Sequence, residues 1–117
     1  MPEDEYRRCE GALKEMKKKK YAQITWIFMN PVDATAWNAT DYYDIIKRPM
    51  DLSTLENNLK GYQYPNEDRF EEDVRLIFSN CYAYNGENHE VSKAAKELEA
   101  IFDAYWAKAH KKASAKG

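Results

Sequence analysis

Two cysteines and two histidines in 117 residues leave little for disulfide, metal or nucleophilic chemistry. Cys9 and Cys81 each fall on the apolar face of an expected helix, where small buried thiols are common, so they predict free thiols and no disulfide framework. A catalytic site needs a nucleophile with a base, or a set of metal ligands. His89 and His110 supply no Glu-x-x-His pair of the kind that holds metal inside helical bundles, so neither enzyme activity nor a metal or other cofactor is expected. An excess of one charge is lacking too: 18 Lys and Arg face 20 Asp and Glu, a net charge of −2. That balance gives no drive toward nucleic acid, and direct specific binding to it is not expected. No apolar run approaches the roughly 20 residues of a membrane span, and Met1-Pro2-Glu3-Asp4-Glu5 is acidic where a secretory signal is basic. The expectation is an intracellular chain without membrane contact, in which Asn38-Ala39-Thr40 matches a glycosylation acceptor by chance.

The chain does have enough apolar residues, 44% of the total beside 32% charged, for one domain with a single core. Periodicity divides it into four helices. The first is expected over Asp4 to Lys20, with Tyr6, Cys9, Leu13 and Met16 in one stripe and Lys17 to Lys20 as a basic end suited to the helix dipole. That run also matches a nuclear-import motif, although a solvated helix end explains it as well. The second starts behind Asp51 as N-cap, carries Leu52, Leu55 and Leu59 inward, and ends at Gly61. The third starts near Asn66, and Phe70, Val74, Ile77, Phe78 and Cys81 give it the strongest periodic signal in the chain. The fourth runs from about Val91 past Trp106. One domain is therefore expected over residues 4–110, followed by a fraying Lys-, Ala-, Ser- and Gly-containing tail over 111–117.

Between Ile24 and Met50 lies a connection longer than bundle loops usually are, and loops of that length are commonly functional or disordered. Trp26, Phe28, Met29, Val32, Trp37, Tyr42, Tyr43, Ile45 and Ile46 make it too apolar for disorder. Asp41 is positioned to cap a short helix over Tyr42 to Lys47. At the far end of the third helix, Asn85 stands where the apolar face runs out. Gly86 follows it, suited to leaving a helix at positive φ. An ordered aromatic loop facing an amide at the mouth of a bundle makes a concave, mostly apolar site with few polar groups. Such a site suits a neutral ligand with a carbonyl acceptor. A structural reading stands beside it, in which Asn85 is only a helix C-cap and the aromatic residues are only core.

Pro31-Val32-Asp33-Ala34, the run from Asp41-Tyr42-Tyr43 through Arg48-Pro49-Met50-Asp51-Leu52, and Asp73 through Tyr82 followed by Tyr84-Asn85 closely resemble a bromodomain. The likeness is strongest to the BET class and its second bromodomain, where His-Glu-Val also follows the Asn-bearing turn, as His89-Glu90-Val91 does here. It covers about Tyr6 to Trp106 in order and spacing. The resemblance implies an all-α, left-handed four-helix bundle (Z, A, B, C) with a long ordered ZA loop and a short BC loop. It also implies a nuclear, non-catalytic reader of acetylated lysine in histone tails, acting in chromatin and transcription regulation. Small-molecule acetyl-lysine mimics are expected to bind, and the isolated domain is expected to be monomeric.

Carried over by residue, the resemblance makes Asn85 the amide that donates to the acetyl carbonyl and Tyr42 the hydroxyl that reaches it through water. Phe28 lies against the methyl group, Val32 forms the opposite wall, Val91 is the gatekeeper and Tyr84 supports the wall beside Asn85. Trp26 forms a shelf, and His89 belongs to the rim. Three positions depart from the family. Its Trp-Pro-Phe shelf reads Trp26-Ile27-Phe28, and its loop-rim leucines are Trp37 and Ala39. These changes bear on the width of the channel beside Trp26, and they resemble loop differences in fungal members. The alternative function is a helix-bundle protein–protein adaptor whose pocket is remodelled or does not bind.

Overall fold

A computed structural model describes residues 1–116, and no strand occurs among them. Helix α1 spans Glu3–Met16, α2 Ala22–Thr25, α3 Tyr42–Ile45, α4 Leu52–Lys60, α5 Glu67–Asn85 and α6 Glu90–Lys116. The longer four, α1, α4, α5 and α6, pack on one another and correspond to the four expected helices Z, A, B and C; α2 docks on α6. Their shared core includes Met16, Leu52, Leu55, Phe70, Val74, Phe78, Leu98 and Phe102, all nearly or wholly inaccessible. Burying each large apolar side chain contributes about 1.5–3 kcal/mol before its ordering cost.

Local chemistry explains the starts of α4 and α5. Asp51 and Asn66 sit in extended backbone, and their side-chain oxygens accept from the N–H groups of Thr54 and Arg69, each at 3.0 Å. Each bond satisfies a donor that the helix itself cannot. The acidic first turn of α1, Glu3, Asp4 and Glu5, likewise complements its dipole.

The first helix ends at Met16, four residues before the expected end at Lys20. Met16 is its last buried residue, and Lys17 to Lys20 offer nothing to the core. The buried Thr25 hydroxyl shares its proton between the Met16 carbonyl at 3.0 Å and the Tyr21 carbonyl at 2.8 Å, and so helps satisfy one of the carbonyls that a helix end leaves open. Helix α3 also stops earlier than expected, at Ile45, because Ile46 turns extended and buries its side chain ahead of Arg48-Pro49. In the other direction, α6 continues through the segment expected to fray after residue 110. Lys and Ala there are strong helix formers and no breaker intervenes; Gly117 lies outside the described residues. Both cysteines are buried and free.

Candidate functional site

The connection between α1 and α4 is ordered by being tied to the bundle at several points. Ser53 of α4 donates its backbone N–H to the Met29 carbonyl at 3.0 Å. The Asn80 side chain on α5 donates to the Arg48 carbonyl at 2.8 Å. Tyr84, also on α5, donates its hydroxyl to the Asp41 carboxylate at 2.5 Å. Asp41 therefore does not cap α3 with its side chain, as the sequence had suggested; the partner that claims it lies 43 residues away. Under these ties a second small core forms from Ala39, Tyr42 and Ile46, packed by Val32, Ala34 and Tyr84.

The Asn85 turn is held with equal care. Asn85 is the last residue of α5, and Gly86 leaves the helix with φ 83° and ψ 153°. That conformation is open almost only to glycine. The Gly86 carbonyl accepts from the wholly buried Ser92 hydroxyl at 2.6 Å, which binds the turn to the first turn of α6. His89 Nδ1 accepts from the Val91 N–H at 3.1 Å, so this nitrogen is the unprotonated one in the neutral ring.

Loop and turn enclose a cleft of about 230 Å³. Asn85, Tyr42, Phe28, Val32, Val91 and Tyr84 all line it. So do Ile27, Trp37, Ala39 and His89 of the expected shelf and rim. Trp26 is not among the lining residues; it stacks on Trp37 with ring centres 5.7 Å apart. The lining also includes Ile77 and Cys81, which periodicity assigns only to core, Met50 at the end of the long connection, and Asn30 and Asn38 on the outer wall. Asp51 also reaches the cleft, but its carboxylate already accepts from Ser53 Oγ, Thr54 Oγ1 and the Thr54 N–H.

Ile27 has a visible structural consequence. Trp26 adopts helical angles, φ −55° and ψ −32°, so that α2 runs directly into a 3-10 turn over Trp26–Phe28. A following proline disfavours that conformation, and isoleucine permits it. The turn carries Phe28 into the core, edge-on to Phe78 at 6.2 Å, and leaves Trp26 59% exposed.

Asn85 and Tyr42 both face the cleft with capacity to spare, beside the amides of Asn30 and Asn38 on its outer wall. The amide Nδ2 of Asn85 donates only to Cys81 Sγ, at 3.7 Å. A thiol sulfur is a weak acceptor, so a stronger one is readily accommodated. The Tyr42 hydroxyl makes no hydrogen bond among the described residues. No buried polar side-chain atom there lacks a partner, so this oxygen faces accessible space. Burial, with neighbouring Tyr43, Cys81 and Tyr84, pushes the Tyr42 phenol up to about 12. Burial also raises the Cys81 thiol, against the opposing effect of its hydrogen-bonding contacts with Ser92 and Asn85. Both groups are therefore neutral near pH 7. The described residues contain no cluster of His, Cys, Asp and Glu able to hold a metal ion, and no helix is long and apolar enough to cross a membrane.

A helical bundle with a tethered aromatic loop over a mostly apolar cleft, and the Asn85 amide at its mouth, forms a site suited to a small uncharged group. The bromodomain family model matches residues 9–97, and the chain belongs to the bromodomain family. It is 44% identical over 103 residues to bromodomain-containing factor 1 of Candida albicans. That match covers 88% of this chain and 14% of the relative, so the chain spans about a seventh of the length of the curated protein it matches.

Proposed function

We infer that the domain, over residues 4–110, is a non-catalytic reader of acetyl-lysine in histone tails, of the BET class and most like a second bromodomain. The observation that carries this reading is the pairing in one mostly apolar cleft of an underused Asn85 amide with an open Tyr42 hydroxyl. An acetamide presents one strong acceptor and a methyl group. Asn85 donates to the carbonyl, Tyr42 reaches it through a bridging water, and Phe28 and Val32 receive the methyl. The cleft is smaller than the roughly 300–1,000 Å³ of sites for drug-sized ligands, which suits the entry of a single side chain.

Selectivity follows from magnitudes. One hydrogen bond nets about 1 kcal/mol. Placing an unacetylated ammonium in the cleft without a counter-ion costs several kcal/mol. Asp51 does not offset that cost, because its oxygens are engaged as the α4 cap. Discrimination therefore rests mainly on rejecting charge. A short peptide with one inserted side chain gives modest affinity, about micromolar to near-millimolar, which a second module in the parent protein raises by avidity. The setting is nuclear, in chromatin and transcription regulation, and acetyl-lysine mimics compete for the same cleft.

The test is NMR titration with matched acetylated and unmodified histone-tail peptides. The acetylated peptide is expected to shift the Asn85 side-chain amide and the Val91 and Phe28 signals in a saturable way, while the unmodified peptide leaves them in place. Absence of any shift with acetylated peptides from a folded sample would favour the adaptor reading, with the cleft remodelled by Ile27, Trp37 and Ala39.

A further inference from the structure

Five large hydrophobic side chains are exposed among the described residues, and four of them, Trp26, Trp37, Tyr43 and Ile45, belong to the loop over the cleft. Two of the four are indoles in a nearly parallel stack, 19° between planes, with Trp26 59% and Trp37 45% exposed. Trp37 lines the cleft and Trp26 lies against it outside. The stack is thus continuous with the mouth.

Its geometry is built in beforehand. The Trp37 N–H donates to the Asp33 carbonyl at 3.0 Å, and the Asn38 N–H donates to Thr35 at 3.1 Å. Asn38 takes φ 54°, and the Ala39 N–H closes the turn on Ala34 at 2.7 Å. Asparagine is one of the few residues that adopts positive φ readily. The small, buried Ala39 lets this turn sit down on Tyr42. A rigid aromatic surface of this kind loses little entropy on contact.

The loop and the Asn85 turn carry an excess of acid: Asp33, Asp41, Asp44, Glu87 and Glu90, against Lys47 and Arg48. None of these five carboxylates makes an ion pair among the described residues, although carboxylates on all four long helices do. Arg48 approaches Asp73 at 4.0 Å. Exposed indoles on a loop with net acidic charge attract a cation, and a planar guanidinium stacks on an indole better than an ammonium does.

We propose that the Trp26–Trp37 stack is a second subsite, which takes the cationic side chain of a residue flanking the acetyl-lysine, arginine in preference to lysine. This subsite rests on the acetyl-lysine reading of the cleft. Trp37 thereby determines specificity in sequence context, while Asn85 and Tyr42 read the acetyl group.

Calorimetry with three series of acetylated peptides tests this. They carry arginine, lysine or citrulline at each position around the acetyl-lysine in turn; citrulline keeps the planar shape and removes the charge. For at least one position, the parent protein is expected to bind the arginine peptide roughly three- to fivefold more tightly than the citrulline peptide, the range of an exposed cation–π contact. Trp37→Leu is expected to bind the two alike. Equal binding of arginine and citrulline peptides by the parent at every position, with acetyl dependence intact, overturns the subsite and leaves the reader function standing. A preference for arginine that persists in Trp37→Leu also overturns it, since the net acidic charge alone then accounts for the effect. Failure of every acetylated peptide to bind removes the underlying reading, and the subsite with it.

Discussion

Gly86→Ala isolates backbone strain at the turn that carries Asn85. A methyl group added there meets no atom within 4 Å, so nothing is overpacked. The whole effect arises from φ 83° and ψ 153°, a region that L residues with a Cβ rarely adopt. Holding alanine there costs about 1–3 kcal/mol. If the turn relaxes to avoid that cost, it breaks the 2.6 Å Ser92 bond to the Gly86 carbonyl or the 2.9 Å bond from the Gly86 N–H to Tyr82. Either way stability falls. At about 4 °C per kcal/mol for a domain of this size, the melting temperature should drop by roughly 4–12 °C in a circular-dichroism melt. Gly86→Asn is the informative control: asparagine tolerates the left-handed helical region, but a ψ near 150° lies outside it, so asparagine should rescue nothing. A melting temperature unchanged by alanine, or restored by asparagine, would refute the assignment of strain to this residue.

Other perturbations probe the ties and the titrating groups. Thr25→Val removes the hydroxyl that donates to the Met16 carbonyl and should destabilise the domain by about 1–3 kcal/mol in urea unfolding, with the m-value unchanged. Tyr84→Phe cuts the link from α5 to Asp41; it should speed hydrogen exchange of the Ala39 and Tyr42 amides while the core of α5 stays protected. Because the Tyr42 phenol is raised from 10 to about 12, its contribution to stability is fully present below pH 10 and is lost as pH rises through about 12. Stability should therefore hold from pH 7 to 9 on account of this group and fall beyond, and Tyr42→Phe should make the alkaline fall shallower, as read by denaturant titrations across that range.

What the sequence made legible is what depends on near neighbours. The stripe through Phe70, Val74, Ile77 and Cys81 specifies α5 because helical period and burial agree, and the caps at Asp51 and Asn66 act over three residues. The end of α1 was not legible. Lys17 to Lys20 are good helix formers, and what ends the helix is the lack of anything to bury together with a hydroxyl nine residues on, at Thr25. Asp41 shows the same limit: its position suits a helix cap, but Tyr84 takes its carboxylate across the fold. In the cleft, Asn85 was singled out by its place where the apolar face of the third helix ends, whereas the roles of Tyr42, Phe28, Val32 and Val91 came from the likeness to a family, since their hydroxyl and apolar groups are indistinguishable from core residues by spacing alone. Trp37 was legible only as a departure. That it stacks on Trp26 and itself lines the cleft follows from a contact between residues eleven apart in a loop without periodicity.

Calorimetric titration of one acetylated histone-tail peptide into the parent and into Asn85→Ala addresses the central claim most directly. Asn85 bonds only to a thiol within the fold, so its loss should leave the melting temperature nearly unchanged. It should weaken binding by about 1–3 kcal/mol, roughly 5- to 150-fold, because the acetyl carbonyl is then buried without its donor. Equal affinity of the folded variant and the parent would contradict the account, because the acetyl group would then be recognised somewhere other than at the Asn85 turn.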